Sequence, residues 1–191
     1  MSLRTTVKVS HISNLSDARY CSGMGVEMLG FRVIPGADHY LSPNVYQDIR
    51  GWLAGPGIVA ELYGLTSEAQ ILDVVQTYAP DYFELSAAEY KRFAAALHLP
   101  CIIYFSDPGE ITSVLGRENF SHALVDEHVS CADLASVTAP VLVRISSLDR
   151  MKEKLSQGCF RGIVLEGPKE QRPGVTNYEQ LGDILEALEE D

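Results

Sequence analysis

The chain has 191 residues, 46% of them hydrophobic and 21% charged, with a net charge of -11 and a pI near 4.8. That is enough apolar sequence for one sizeable core and too little chain for two ordinary domains, so residues 1–191 read as a single domain. The acidity argues against nucleic acid and anionic membrane as partners, since both call for clustered Lys and Arg. A small-molecule ligand or substrate remains the natural partner.

In chain order, short apolar runs alternate with amphipathic ones. The strand candidates are "TVKV" (6–9), "MLGFRV" (28–33), "GIVAEL" (57–62), "DYFEL" (81–85), "CIIYF" (101–105), "HALV" (122–125), "PVLVR" (140–144) and "GIVLE" (162–166). Between the first two lies "LSDARYCSGMG", with Ser16 near its start and Gly25 beyond its end. "SPNVYQDIRGWL" opens on Ser42 as N-cap with Pro43 at the first helical position. "TSEAQILDVVQTY" is expected to bury a face of Ala69, Leu72, Val75 and Tyr78. "SAAEYKRFAAALH", "PGEITSVLG", "SLDRMKEKLSQG" and "NYEQLGDILEALEED" follow, with only a weak "SCADLASV" after the sixth strand. Eight strand–helix units predict parallel strands with right-handed crossovers. The fold class is α/β, a single (β/α)8 barrel of minimal size with an incomplete helix after strand six; an open doubly wound sheet is the alternative.

Cys21, Cys101, Cys131 and Cys159 show no C-x-x-C spacing, and the expectation is four small buried hydrophobes in a reduced, cytoplasmic protein. No apolar run approaches the ~20 residues of a membrane helix, and no signal peptide opens the chain. No cofactor and no metal are expected. His122, Asp126 and His128 share a strand parity and form the minor metal-binding alternative.

In such barrels chemistry sits at the C-terminal strand ends. Those positions hold Ser10 and His11, then Arg32, Glu61 and Tyr63, then Glu84 and Ser86, Tyr104 and Ser106. Asp126, Glu127 and His128 follow strand six, Arg144 and Ser146 strand seven, Glu166 and Gly167 strand eight. Glu61, Glu84, Asp126 and Glu166 are expected to gather at one rim, where neighbouring carboxylates raise one another's pKa and suit proton transfer. Glu84, inside the apolar "YFELS", needs a partner or a pocket. A phosphate-binding barrel offers glycine-rich N–H nests after strands seven and eight. Here only Gly167 and Gly174 are available, with Arg144, Ser146 and Ser147 as side-chain substitutes.

"VKVSHISNLSDA" followed by "GVEMLGFRVIPGADHYLSP" resembles phosphoribosylanthranilate isomerase, a barrel enzyme of tryptophan biosynthesis. Lys8, Asp17, Ala18, Gly25, Leu29, Gly30, Phe31, Pro35, Tyr40, Ser42 and Pro43 match the family's pattern. "YFELSA", "HALVDEH" and "RPGVTNYEQLGDILEAL" extend the likeness along the chain, less specifically after residue 90. The resemblance implies an Amadori rearrangement of a phosphorylated aminoaldose, driven by a general base and a general acid. Asp126 stands at the acid's position. Ser10 replaces the family's catalytic Cys, and His11 replaces the glycine after it. His39 stands where the family has an Arg for the substrate carboxylate. The three phosphate-binding glycine segments read "EHVSCADL", "RIS" and "EGPKE". The catalytic candidates are therefore Asp126, Ser10 and His11, and the substrate-binding candidates His39, Glu84, Arg144, Ser146 and Gly167.

Three readings stay open. They are a retained isomerase using His11 and Asp126, a barrel enzyme turned to a less anionic substrate, and a non-catalytic relative. The family's small barrels often pair, so the resemblance also admits a homodimer.

Overall fold

A computed structural model of the protein describes residues 2–117, 119–168, 170–172 and 175–189. Gly174 lies outside the described residues. Eight parallel strands close on themselves in chain order: β1 Thr6–Ser10, β2 Met28–Arg32, β3 Gly57–Glu61, β4 Tyr82–Ser86, β5 Cys101–Tyr104, β6 Phe120–Val125, β7 Val141–Arg144 and β8 Gly162–Glu166. The last strand pairs with the first from Thr6↔Gly162 to Ser10↔Glu166, so the sheet has no free edge. The expected (β/α)8 barrel is the observed one. A short antiparallel hairpin, β9 Glu170–Arg172 with β10 Val175–Thr176, follows β8.

The helices are α1 Leu15–Gly23, α2 Pro43–Arg50, α3 Glu68–Tyr78, α4 Ala87–Phe93, α5 Leu148–Ser156 and α6 Glu179–Glu186. Their starts carry recognisable caps. Asn14 caps α1 by accepting from the Asp17 N–H, with Ser16 in the first turn. Ser42 and Pro43 open α2 as expected. Ser86 and Glu89 form a reciprocal capping box on α4. The expected face of α3 is corrected: Ile71, Val74 and Tyr78 are buried, whereas Leu72 is 59% exposed and Ala69 lies at the surface. Tyr78 decides the rotation, because its hydroxyl donates to the Leu41 carbonyl at 2.8 Å while its own carbonyl accepts from Tyr46 at 2.7 Å.

Alternation along each strand builds two layers. Residues of one parity, such as Val7, Val9, Leu29, Phe31, Ile58 and Ala60, pack outward under the helices in the larger core. Residues of the other parity fill the barrel. Its floor is Met28, Val59, Ile102, Leu124, Leu142 and Val164.

"PGEITSVLG" forms a short 3-10 helix, Pro108–Ser113, in place of an α-helix. Between Val125 and Val141 the chain makes turns and no helix, which meets the expectation of an incomplete sixth unit. Other groups hold that segment. Val129 and Leu134 are buried, Lys154 donates to the Val129 carbonyl at 3.0 Å, and Asp133 accepts from Ser130. Cys131 and Cys159 form a disulfide, with Cα atoms 5.8 Å apart, that ties the segment to the end of α5. This corrects the expectation of four reduced cysteines: Cys21 and Cys101 are free and buried, whereas the other two are a covalent staple where a helix is missing. A disulfide persists where thiols are not kept reduced.

The bridge closes a sequence separation of 28. Reducing it, or replacing Cys131 by Ser, is expected to cost about 3 kcal/mol, a fall in Tm of roughly 6–12 °C read by thermal unfolding with and without reductant. An unchanged Tm would show that Val129, Leu134 and Lys154 hold the segment alone.

Candidate functional site

Above the apolar floor, the inward positions of neighbouring strands are ionic. Lys8 of β1 is fully buried. Its Nζ lies 2.7 Å from Glu61 Oε1 on β3 and 2.8 Å from Glu84 Oε2 on β4. Both carboxylates are buried as well. β2 lies between β1 and β3, and Lys8 reaches Glu61 across it because residue 30 is glycine. A Cβ there would collide with Glu61 Oε1 and come within 2.7 Å of Lys8 Nζ. Burial alone would push the Lys8 ammonium down, but Glu61 and Glu84 outweigh it and hold it above its usual value. Burial would likewise raise the Glu61 carboxyl, and Lys8, His11 and Arg32 reverse that.

A second tier lies closer to solvent. Arg32 Nε sits 3.2 Å from Glu61 Oε2, and its guanidinium stacks 4.6 Å over the Tyr63 ring. Tyr63 donates to Glu84 Oε1 at 2.9 Å. Burial and then Glu84 push its phenol well above the ordinary value. Across the mouth, Asp126 accepts from Arg144 at 2.9 Å on Oδ1 and from Tyr104 at 2.6 Å on Oδ2. Arg144 also stacks over Tyr104, 4.9 Å from the ring centre.

Each sequence candidate can now be located. Ser10 is 6% exposed, and its hydroxyl accepts from Lys8 Nζ at 2.5 Å. A serine beside a lysine resembles a Ser–Lys nucleophile. Here the lysine is charged and paired to two carboxylates, so it donates to Ser10 and takes no proton from it. His11 Nε2 lies 3.0 Å from an Arg32 nitrogen. Arginine can only donate, so toward Arg32 Nε2 is the acceptor, while Glu61 Oε2 lies 3.6 Å from the same nitrogen. Burial lowers the His11 pKa, Glu61 opposes this, and Arg32 and Lys8 add to it. The backbone of His11 has φ +58°, the left-handed conformation that favours glycine. His39 has φ +61° and stacks on His11 with ring centres 5.7 Å apart.

Glu84 meets the expectation that it needs a partner: it has Lys8 and Tyr63. Ser146 donates from its N–H at 3.1 Å and from its hydroxyl at 3.0 and 2.9 Å to the Glu127 carboxylate. The Gly167 N–H is engaged with the Ser10 carbonyl at 2.8 Å, so it offers no nest for an anion. A Cβ on Gly167 would lie 2.9 Å from that carbonyl, which explains glycine there. The expected rim of mutually repelling carboxylates is also corrected. Glu61, Glu84 and Asp126 are separated by Lys8, Arg32 and Arg144, each cation lying against a carboxylate. His122 sits low in the barrel beside Ile102 and contacts Ser121, away from Asp126 at the strand's other end. Among the described residues no set of three His, Cys, Asp or Glu side chains converges as a metal site.

Sequence reasoning missed the Lys8–Glu61 pair, the Arg32–Tyr63 stack and the Glu127–Ser146 contact. Strand parity carried the first, since Lys8, Gly30, Glu61 and Glu84 are all inward positions. The third joins two loops, and no spacing encodes it.

A cavity of about 880 Å³ opens beside Asp126 and Arg144 at the ends of β6, β7 and β8 and reaches α6. Among the described residues that line it, Asp126, Glu127, Glu166, Glu179 and Asp183 outnumber the single cation, Arg144.

No protein-family model matches the chain, and no curated protein matches it. Solved structures do match. The phosphoribosylanthranilate isomerase of Thermus thermophilus superposes with a TM-score of 0.78 at 19% identity, over 96% of this chain and 98% of that one. The fold is that of phosphoribosylanthranilate isomerase. A phosphoribosylanthranilate isomerase in complex with reduced 1-(o-carboxyphenylamino)-1-deoxyribulose 5-phosphate gives 0.76 at 18% identity, over 95% and 97%. Monomers generated from the dimeric enzyme of Thermotoga maritima give 0.74 at 17% identity, over 95% and 97%.

Two predictions follow from the geometry. Glu61 has a folded-state pKa below its usual 4.5. Its contribution to stability is therefore fully present above that value and lost as pH falls through the lower, folded-state one. In Lys8→Met the two glutamates keep their burial without their shared cation. The protein should lose about 3–5 kcal/mol at neutral pH and become less unstable relative to wild type on acidification, as read by urea unfolding at several pH values. A constant difference across pH would show that Lys8 is not the cation that matters. The second concerns His11. His11→Gly is expected to be more stable than His11→Ala by about 1 kcal/mol, because only glycine relieves the positive φ. An ordinary site gives the opposite order, so the sign of the difference in urea midpoint is the test.

Proposed function

We propose that this chain is a divergent relative of phosphoribosylanthranilate isomerase that no longer performs the isomerase reaction, and that its mouth takes a small molecule without a phosphate group. Residues 1–191 then make one barrel domain. The observation that carries the reading is the engagement of the groups at the mouth. The isomerase reaction needs a base to remove a carbon-bound proton and an acid to protonate a ring oxygen. At the base's position Ser10 lies under the charged Lys8 ammonium. His11, the substitute, spends Nε2 on Arg32. At the acid's position both oxygens of Asp126 accept, from Arg144 and from Tyr104. Neither oxygen can then reach a ligand without giving up a guanidinium or a phenol as partner.

The acidic wall of the cavity and the overall charge of -11 support a neutral or cationic ligand over an anionic one. They also speak against nucleic acid and anionic membrane surfaces as partners. Among the described residues no helix is long and apolar enough to cross a membrane. A homodimer, by analogy with the dimeric Thermotoga maritima enzyme, belongs to the same proposal.

A retained isomerase is the second reading, favoured by Asp126: its side chain is 27% exposed and borders the cavity. The deciding measurement is turnover of freshly generated phosphoribosylanthranilate by the wild type, Ser10→Cys and Asp126→Asn. No turnover above background is expected from the wild type. Turnover that Asp126→Asn abolishes would overturn the proposal and make Asp126 and His11 working residues.

A further inference from the structure

The strongest unassigned contact at the mouth is made by the chain with itself. Glu127, directly after Asp126, turns its carboxylate toward the loop after β7. Ser146 meets it with its backbone N–H at 3.1 Å to Oε2 and its hydroxyl at 3.0 Å to Oε1 and 2.9 Å to Oε2. A backbone N–H and a hydroxyl converging on one pair of oxygens is the arrangement by which proteins hold a bound carboxylate or phosphate. Ser146 is itself fixed: its carbonyl accepts from the Gln180 side chain of α6, and Ser147 beside it caps α5. These contacts anchor the backbone that carries the donors independently of Glu127. The contact lies on the wall of the cavity, next to Asp126 and Arg144.

We propose that Glu127 is a specificity-determining residue, a tethered anion that occupies the Ser146 donors and thereby closes the mouth to phosphorylated ligands. The inference deepens the functional reading above and rests on it. Glu127 acts in two ways. It consumes the N–H and hydroxyl that an incoming phosphate would need, and its charge sits where the phosphate charge would come. Bringing two anions to one set of donors is repulsive, and a phosphate, carrying more charge than a carboxylate, meets the larger penalty. A neutral or cationic ligand meets no such barrier and has Glu179 and Asp183 on the same wall.

The test is titration of inorganic phosphate into nitrogen-15-labelled protein at fixed ionic strength, following the Ser146 amide. In the wild type that resonance should move weakly and without saturation. In Glu127→Ala it should saturate, with an affinity at least about tenfold above any wild-type response, equivalent to about 1.4 kcal/mol. Adding Ser146→Ala to Glu127→Ala should remove much of the gain. Glu127→Gln keeps the size of the side chain and serves if the alanine variant loses its native amide spectrum; it should gain part of the effect. Equal phosphate binding by wild type and variant would overturn the inference, because Glu127 would then exclude nothing. So would a folded variant that takes no phosphate, because no anion site would lie beneath the carboxylate. Neither result touches the turnover assay. Turnover by the wild type would sink the functional reading whatever phosphate does at Ser146.

Discussion

The interior of this barrel depends on one buried cation. Lys8 reaches two strands beyond its own, past Gly30, to neutralise Glu61 and, with it, Glu84. Everything nearer the mouth is arranged on that fixed charge. Glu61, paired below, is available to Arg32 above; Arg32 contacts His11 Nε2 and lies on Tyr63; Tyr63 returns to Glu84. Such a buried group gives little net stability over an apolar core, yet removing any single member strands a charge in a low dielectric. The cluster therefore behaves as a unit. This accounts for glycine at position 30 in mid-strand, where it is otherwise unfavourable.

The same unit limits what the site can do. Proton transfer needs a group within reach of a ligand, and the polar atoms at the mouth already have partners within the chain. Ser10 lies against an ammonium, His11 spends an acceptor on a guanidinium, and Asp126 is shared between a guanidinium and a phenol. Outward-packing residues such as Leu29 and Phe31 build the scaffold, while the inward residues near the rim are polar and charged. A scaffold and its site can diverge separately because alternate residues of one strand serve them.

The barrel was legible because apolar runs of strand length recurred eight times between amphipathic segments. Even the weak sixth unit could be anticipated from "SCADLASV". The rotation of α3 was not, since Tyr78 chooses it through two hydrogen bonds to distant residues. The site was legible as a set of positions and not as a set of pairings. Glu84 announced a need for a partner, but sequence could not say that the partner was Lys8, 76 places away. The pairing of Cys131 with Cys159 was hidden for the same reason: no spacing marks it, and only the missing helix brings the two together. The positive φ of His11 was foreshadowed by the glycine that the resembling family has there.

Within the ion-paired core the named cations and carboxylates balance, Lys8, Arg32 and Arg144 against Glu61, Glu84 and Asp126. The chain's net charge of -11 is therefore carried outside that set, on the outer surface and the cavity wall. If the mouth takes the ligand class proposed above, that charge would act before any contact forms. Its field would slow the approach of anions and speed that of cations, and dissolved salt, by screening it over a Debye length of about 8 Å at physiological ionic strength, would narrow the difference between the two encounter rates.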